Sequence, residues 1–225
     1  LYANSVIRNL SVHPVKDLEI SERAGFNEDL DIWYGMLAGA AAQASIINCT
    51  LVEDYYTVTL TGDHSWWSTE CLYLGGLVGE LEQADMSLCT NNGSITLRPH
   101  EGMLALALGG LAGNVMHYEC SIDRCRNNGE LYILDAADGG GNTSAIVGGI
   151  AGYVKDERVG TVLAIMNCEN NGNIYAIRPH PRCGGIIGYN DSDGTDIDWD
   201  HWFLCPYVHN CLNNGNIIAY GTEND

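Results

Sequence analysis

The chain has very little positive charge. Lysine and arginine together number 10, and only Lys16 and Lys155 are lysines, whereas aspartate and glutamate number 29, so the formal net charge is −19. Binding to nucleic-acid phosphates needs a basic face, and a polybasic membrane anchor needs clustered basic residues. The composition therefore predicts no nucleic-acid partner and no electrostatic membrane anchor. It also differs from that of a disordered chain, because 46% of the residues are hydrophobic.

A run of 21 uncharged residues, 32–52, is long enough for a transmembrane helix. It contains Gly35, Gly39, Gln43 and Asn48, and its glycines recur at matching offsets later in the chain. We therefore predict no membrane insertion within this chain. The sequence begins at Leu1 instead of Met and shows no basic-then-apolar leader. We accordingly expect it to be an excised piece of a larger protein or a mature product.

A two-part motif repeats along the sequence. The first part is Gly-Gly-x-x-Gly, and the second is Cys-x-Asn-Asn-Gly with an apolar residue three positions before the cysteine and another two positions after the glycine. The glycine pattern begins at Gly75, Gly109, Gly148 and Gly184, and the cysteine pattern at Cys89, Cys125, Cys168 and Cys211. Degenerate copies begin at Gly35 and Cys49, and successive glycine patterns lie 40, 34, 39 and 36 residues apart. Such a period is typical of a repeat architecture.

The repeat predicts stacked β-strands. Short segments rich in Ile, Val, Leu and Tyr alternate with Asn-Gly and Gly-Gly turn signals. Each repeat offers about three strands, too few to close a core alone, so the copies must share one. We predict a single all-β domain over residues 1–225, a parallel β-helix-like solenoid of about five to six coils with loop inserts. A β-propeller and helical repeats have similar periods, but a propeller blade needs four strands and Asn-Asn-Gly would break a helix.

Stacking predicts ladders of equivalent residues about 4.8 Å apart. Asn92, Asn128, Asn171 and Asn214 are expected to stack their side-chain amides, and the glycine after each is expected to supply a positive φ. Cys49, Cys89, Cys125, Cys168 and Cys211 are expected to form a ladder of buried, reduced thiols, because stacked parallel strands seldom meet disulfide geometry. The sequence contains no Cys-x-x-Cys, which argues against a zinc site.

The combination of Gly-Gly-Leu-Val-Gly with Ile-x-Asn-Cys-x-Asn-Asn-Gly-x-Ile resembles the GLUG-motif repeats over roughly residues 5–220. Such repeats occur in large bacterial cell-surface proteins, including adhesin-like proteins and the non-catalytic parts of immunoglobulin A-specific metallopeptidases. The resemblance implies that the chain is a fragment of a larger surface protein. It also implies a non-catalytic, extracellular domain that acts in adhesion or ligand presentation, with a glycan or a host or cell-surface protein as partner. The alternatives are a polysaccharide-acting hydrolase or lyase and a passive structural spacer.

The acidic insert at residues 189–207 is a candidate calcium site, the only cofactor that the sequence suggests. It carries five aspartates: Asp191, Asp193, Asp196, Asp198 and Asp200. Calcium takes six to eight oxygen ligands, and Asp-x-Asp-Gly places two carboxylates around a tight turn. The fit to an EF-hand loop fails because Tyr189 occupies its first ligand position, so a solvated acidic loop is the alternative.

Two inserts carry tryptophans that are candidate ligand-binding residues. Trp66 and Trp67 lie in one insert, and Trp199 and Trp202 lie in the acidic insert. Aromatic faces can stack on sugar rings or anchor protein interfaces, and the alternative is that they pack locally on the solenoid. The alternating aspartates of the acidic insert are the basis of the enzyme alternative, but no catalytic residue is predicted.

Overall fold

The computed structural model describes residues 1, 4–14, 16–21, 31–52, 54–61, 71–99, 105–116, 119–134, 144–156, 163–177, 180–192 and 207–221. Every regular element in this part of the chain is a β-strand, and every strand pairing is parallel. Among these residues no helix is long and apolar enough to cross a membrane. The predicted all-β parallel solenoid is confirmed.

The chain winds through five sheets, which we number in the order in which it visits them. Sheet 1 contains β1 (Ser5–Arg8), β6 (Ala44–Ile47), β11 (Asp85–Ser87), β16 (Ser121–Asp123), β21 (Ala164–Met166) and β26 (Tyr207–His209). Sheet 2 contains β2 (Ser11–Val12), β7 (Thr50–Leu51), β12 (Thr90–Asn91), β17 (Arg126–Asn127), β22 (Glu169–Asn170) and β27 (Leu212–Asn213). Sheet 3 contains β3 (Asp17–Ser21), β8 (Tyr55–Thr61), β13 (Ser94–Arg98), β18 (Leu131–Ile133), β23 (Ile174–Ile177) and β28 (Ile217–Tyr220).

The other two sheets contain five strands each. Sheet 4 contains β4 (Ile32–Gly35), β9 (Cys71–Gly75), β14 (Ala105–Gly109), β19 (Ser144–Gly148) and β24 (Arg182–Gly184). Sheet 5 contains β5 (Ala38–Ala42), β10 (Val78–Glu82), β15 (Ala112–Met116), β20 (Ala151–Asp156) and β25 (Ile187–Ser192). A complete winding thus has five strands instead of the predicted three, because the chain bends at the cysteine and again after the asparagines and leaves two-residue strands in sheet 2.

The hydrophobic core runs along the inside of the solenoid. In sheet 1 the apolar residues that precede each cysteine by three positions pair in register and are completely buried: Ile46, Met86, Ile122 and Ile165. Successive residues of a strand point to opposite faces of the sheet. Each winding therefore contributes one inward-facing residue to this column of the core. The motif thus places like residues above one another, as the repeat predicted.

The cysteine ladder is confirmed as a column of free thiols. None of the five ladder cysteines forms a disulfide bond. The backbone N–H of Cys49 donates to Sγ of Cys89 at 3.5 Å, and that of Cys89 donates to Sγ of Cys125 at 3.4 Å. Each thiol also lies close to backbone carbonyls of its own and the preceding winding, as Cys168 does with those of Met166 (3.1 Å) and Ile122 (3.4 Å).

The Asn-Asn-Gly segments form two asparagine ladders. In the predicted outer ladder, neighbouring amides are joined at 2.8 Å through Asn92, Asn128, Asn171 and Asn214. Asn128 and Asn214 are exposed, and the other two are half-buried. A second, inner ladder is joined at 2.7 Å through Asn91, Asn127, Asn170 and Asn213. The first three inner asparagines are completely buried. Hydrogen bonds between like amides therefore satisfy a polar column inside the core, where an unpaired amide would be costly.

The prediction that the glycines of this motif supply a positive φ is wrong. Positive φ occurs instead one residue before each cysteine-ladder position, at 51° to 57°, in Asn9, Asn48, Leu88, Arg124, Asn167 and Asn210. The glycine is needed for a different reason. A Cβ on Gly129 would lie 1.9 Å from the carbonyl oxygen of Gly93 in the preceding winding. The corners stack so closely that only a residue without a side chain fits.

The Gly-Gly-x-x-Gly motif forms the corner between sheets 4 and 5. A Cβ on its last glycine would collide with the backbone of sheet 4 in the preceding winding. The distance would be 2.4 Å from Gly79 to the nitrogen of Tyr34 and 2.6 Å from Gly113 to that of Leu74. The absence of a side chain thus lets each strand of sheet 5 lie directly against sheet 4.

Candidate functional site

The outward-facing side chains of sheets 4 and 5 contact one another along the solenoid, and we call the surface that they form the corner groove. Its floor is a hydrophobic cluster separate from the core, formed by Cys71, Tyr73, Ala107 and Ile146 with Tyr153 and Tyr189 packed against them. Strand register places two columns of residues in the groove. The sheet 4 column is Trp33, Tyr73, Ala107, Ile146 and Arg182. The sheet 5 column is Ala40, Glu80, Asn114, Tyr153 and Tyr189.

Aromatic contacts join the two sheets across the groove. The ring centroid of Tyr73 in sheet 4 lies 5.9 Å from that of Tyr153 in sheet 5, which in turn lies 5.6 Å from that of Tyr189. The guanidinium carbon of Arg182 lies 4.1 Å from the centre of the Tyr189 ring, a cation–π contact. Trp33 remains 41% exposed. The groove therefore combines rings that contact one another with an aromatic face open to solvent.

Glu80 lies beside these aromatic residues and is only 7% exposed. Nδ2 of Asn114 donates to Oε2 of Glu80 at 2.9 Å, and the Trp33 side chain also hydrogen-bonds to this carboxyl. Burial raises the pKa of Glu80 above its ordinary value; the hydrogen bonds oppose this rise, and the nearby carboxylates of Glu82 and Asp31 add to it. The groove thus holds a carboxyl whose surroundings favour the protonated form.

Asn114 and Tyr153 follow Glu80 along the sheet 5 column. Asn114 is completely buried, and its Oδ1 has no hydrogen-bond partner among the residues that the structure describes. The hydroxyl of Tyr153 donates to Oδ2 of Asp191 at 2.5 Å. Burial and this carboxylate both raise the pKa of Tyr153, which keeps the hydroxyl protonated as a donor.

Two rows of chain connections lead into sheet 4 and out of sheet 5. Those from sheet 3 to sheet 4 are residues 22–31, 62–70, 99–104, 134–143 and 178–181. Those from sheet 5 to sheet 1 are residue 43 and residues 83–84, 117–120, 157–163 and 193–206, so they lengthen steadily along the chain. The remaining connections are short. The long inserts therefore begin and end at the two outer borders of sheets 4 and 5.

The structure places one residue of the candidate calcium site. Asp191 is half-buried at the end of the groove and accepts the Tyr153 hydrogen bond. Asp193, Asp196, Asp198 and Asp200 lie outside the described residues. Within the described ranges no three His, Cys, Asp or Glu side chains are grouped so that they could hold a metal ion. Calcium binding stays a prediction from the sequence.

The candidate tryptophans also lie outside the described residues. Trp66 and Trp67 belong to the connection between β8 and β9, and Trp199 and Trp202 to that between β25 and β26. Both connections are anchored at the borders of the corner groove. No protein-family model matches the chain, and no curated protein is significantly similar to it. The GLUG resemblance remains an expectation from the motif.

The residues of the corner groove were missed by reasoning from the sequence. The sheet 5 column directly follows the last glycine of each motif copy, as in Gly79-Glu80 and Gly152-Tyr153. The sheet 4 column lies two positions before the first glycine, as Tyr73 does before Gly75. Aligning the copies on their glycines would have shown both columns, because these outward positions vary between polar, aromatic and small residues.

Proposed function

We propose that this chain is a glycan-binding domain of a bacterial cell-surface protein, and that the corner groove is its binding surface. The observation that carries the proposal is the presence of four aromatic side chains in the two columns, flanked by carboxyl, amide and guanidinium groups. The four are Trp33, Tyr73, Tyr153 and Tyr189. Binding sites for small ligands combine apolar and aromatic walls with a few polar groups that fix orientation. Sugar rings have apolar faces and polar edges, so this combination suits them.

The direction of the groove favours an extended chain as the ligand. Its two columns repeat with the strand spacing of about 4.8 Å and run through successive windings. An oligosaccharide lying along the solenoid axis can therefore contact several windings at once. The solenoid itself acts as the rigid support, because its ladders hold each winding against the next.

The charge of the protein favours a neutral glycan. With a net charge of −19, the domain repels uronates and sulfated sugars at long range. Carboxyl oxygens in the groove can accept hydrogen bonds from the hydroxyls of a neutral sugar without such repulsion. The connections that carry the candidate tryptophans and aspartates lead into sheet 4 and out of sheet 5, and the GLUG resemblance supports the extracellular setting.

A glycan array followed by calorimetry tests the proposal. We expect binding to neutral oligosaccharides, and we expect Trp33→Ala to weaken it roughly two- to tenfold, since an aromatic contact contributes about 0.5–1.5 kcal/mol. Trp199→Ala and Trp202→Ala test the contribution of the acidic insert. Tyr132→Ala is the matched control, because Tyr132 stacks on Tyr175 with ring centroids 4.5 Å apart on sheet 3, outside the groove. Absence of binding to any glycan at high protein concentration would contradict the proposal.

A further inference from the structure

We propose that the corner between sheets 1 and 2 holds a second binding site, which takes a ligand that bears a single carboxylate. The site is a depression of about 400 Å³ on the outside of the solenoid, and we call it the arginine cleft. Four residues form its centre: Leu88, Thr90, Arg124 and Arg126. It lies on other sheets than the corner groove, so it goes beyond the proposed function and does not depend on it.

Two successive windings build the arginine cleft. Thr90 on β12 pairs in register with Arg126 on β17, and the backbone N–H of Leu88 donates to the carbonyl oxygen of the residue before Arg124 at 3.1 Å. Neighbouring parallel strands lie about 4.8 Å apart, so Leu88 and Thr90 of one winding lie beside Arg124 and Arg126 of the next. The buried Cys125 separates the two arginines, and both arginine side chains are exposed on the outside.

The arginine cleft interrupts a third column of asparagines. The residue before each cysteine-ladder position has a positive φ, and in four of six windings it is an asparagine: Asn9, Asn48, Asn167 and Asn210. At both ends of this column, neighbouring amides are joined at 2.8 Å. Leu88 and Arg124 stand in the two windings between, with φ of 57° and 51°.

These two positions depart from what the scaffold favours. A positive φ suits asparagine better than leucine or arginine, and either replacement breaks the column of amide hydrogen bonds. Both replacements lie in adjacent windings, and both line the cleft. Local rules of folding are broken mainly where residues serve binding, so the departure points to a ligand at this corner.

Both guanidinium groups keep donors for that ligand. Nε of Arg124 donates to Oδ2 of Asp123 at 2.7 Å, and Nε of Arg126 donates to Oε2 of Glu169 at 2.9 Å. Each arginine has this one carboxylate partner in the described part of the chain, although a guanidinium can donate five hydrogen bonds. Hydrogen bonds from Asn167 and Arg124 lower the pKa of Asp123, so its charge persists and helps to hold Arg124 in place.

The chemistry of the arginine cleft favours a single carboxylate. A planar guanidinium can bind a carboxylate through two parallel hydrogen bonds. Thr90 adds a hydroxyl, and Leu88, which is 45% exposed, offers an apolar contact to the rest of the ligand. Because the net charge is −19, a polyanion or a doubly charged phosphate is repelled more strongly than one carboxylate.

The test is a titration of nitrogen-15-labelled protein with butyrate, lactate, glucuronate and N-acetylneuraminate, followed by NMR. We expect at least one of them to shift the backbone amides of the four central residues, and the aliphatic and sugar acids distinguish what carries the carboxylate. Arg124→Gln and Arg126→Gln should each weaken binding about tenfold or more, because each removes charge-assisted hydrogen bonds.

Two matched variants serve as controls. Arg98→Gln removes an exposed arginine on sheet 3 and should leave carboxylate binding unchanged. Trp33→Ala should also leave it unchanged, because Trp33 belongs to the corner groove. Loss of carboxylate binding in either control would contradict a separate site at the arginine cleft.

Leu88→Asn separates binding from folding. Asparagine would continue the column from Asn48 and suits the positive φ, so the melting temperature should rise. Loss of the apolar contact should weaken carboxylate binding roughly threefold or more. A lower melting temperature with unchanged binding would show that the leucine serves the scaffold, and it would overturn the proposal.

Three other results would overturn the assignment. The first is an absence of amide shifts with every carboxylate at high concentration. The second is binding that persists unchanged in both Arg124→Gln and Arg126→Gln. The third is tighter binding of inorganic phosphate than of any of the carboxylates, which would replace the predicted ligand class by another. None of these results bears on the corner groove, so the proposed function would still stand on its own test.

Discussion

The two asparagine ladders allow the contribution of burial to be measured with one residue type. Asn127 and Asn128 are adjacent, and each is joined to the equivalent asparagine on either side by hydrogen bonds of 2.7–2.8 Å. They differ in burial, because Asn127 is completely buried and Asn128 is exposed. We predict that Asn127→Ala strongly lowers the free energy of unfolding and that Asn128→Ala hardly does.

The expected size follows from the groups that each change leaves behind. Without Asn127, Nδ2 of Asn91 loses its 2.7 Å acceptor and Oδ1 of Asn170 loses its 2.7 Å donor. Each buried polar group without a partner costs about 1–3 kcal/mol, so the loss should be roughly 2–6 kcal/mol. Without Asn128, water replaces the lost amide, and the expected loss is below about 1 kcal/mol.

Urea unfolding followed by circular dichroism measures both variants. Because stacked repeats can unfold in parts, the slope of the transition should be compared as well as its midpoint. Equal destabilisation by Asn127→Ala and Asn128→Ala would refute the reasoning, since Asn127 is the one of the two that lacks access to water and that also donates to the carbonyl oxygen of Gly129, at 3.0 Å. A loss of several kcal/mol for the outer variant alone would refute it more strongly.

Three further predictions concern packing, ionisation and metal. Gly149→Ala should abolish cooperative melting, because its Cβ would lie 2.0 Å from the carbonyl oxygen of Gly185, whereas Gly221→Ala, with nothing within 4 Å, should melt like the unaltered protein. Burial raises the pKa of Cys120 from 9.0 to about 11. The neutral thiol therefore stabilises the folded protein fully below pH 9, and the free energy of unfolding should fall by roughly 2–3 kcal/mol between pH 9 and 11 as this contribution is lost. A Cys120→Ser variant that loses as much stability over that range would contradict this prediction. Calcium should raise the melting temperature of the unaltered protein but not of Asp193→Ala, and no shift on adding calcium would remove the predicted site.

The stacked scaffold could be predicted from the sequence because its residues recur at fixed positions. Winding after winding uses Cys at one corner and Asn-Asn-Gly at the next, so the cysteine and outer asparagine ladders followed from spacing alone. The inner ladder was not foreseen, because the motif does not reveal which of two adjacent asparagines faces the core. The prediction of a positive φ for the glycine after them was wrong. Close packing of stacked corners requires a glycine as strictly as a left-handed backbone conformation does, and the sequence does not distinguish the two.

The corner groove could not be predicted from the same repeat. Its residues differ from one copy of the motif to the next, as Glu80, Asn114 and Tyr153 do. A search for positions with the same residue in every copy therefore does not find them. Their position in the groove depends on sheets 4 and 5 folding toward each other, which requires Gly79 and its equivalents to contact the preceding winding. That is a property of three-dimensional packing between windings, and the glycine pattern alone indicated only a tight bend.

The existence of the corner groove can be tested most directly by nuclear Overhauser contacts between tyrosine rings. Tyr73 and Tyr153 are 80 residues apart in sequence and belong to different sheets, yet their ring centroids lie 5.9 Å apart. In protein with labelled tyrosine, we predict cross-peaks between these two rings, and between those of Tyr153 and Tyr189. Cross-peaks between the stacked rings of Tyr132 and Tyr175 on sheet 3, without any between Tyr73 and Tyr153, would show a solenoid that lacks the groove and would contradict the account.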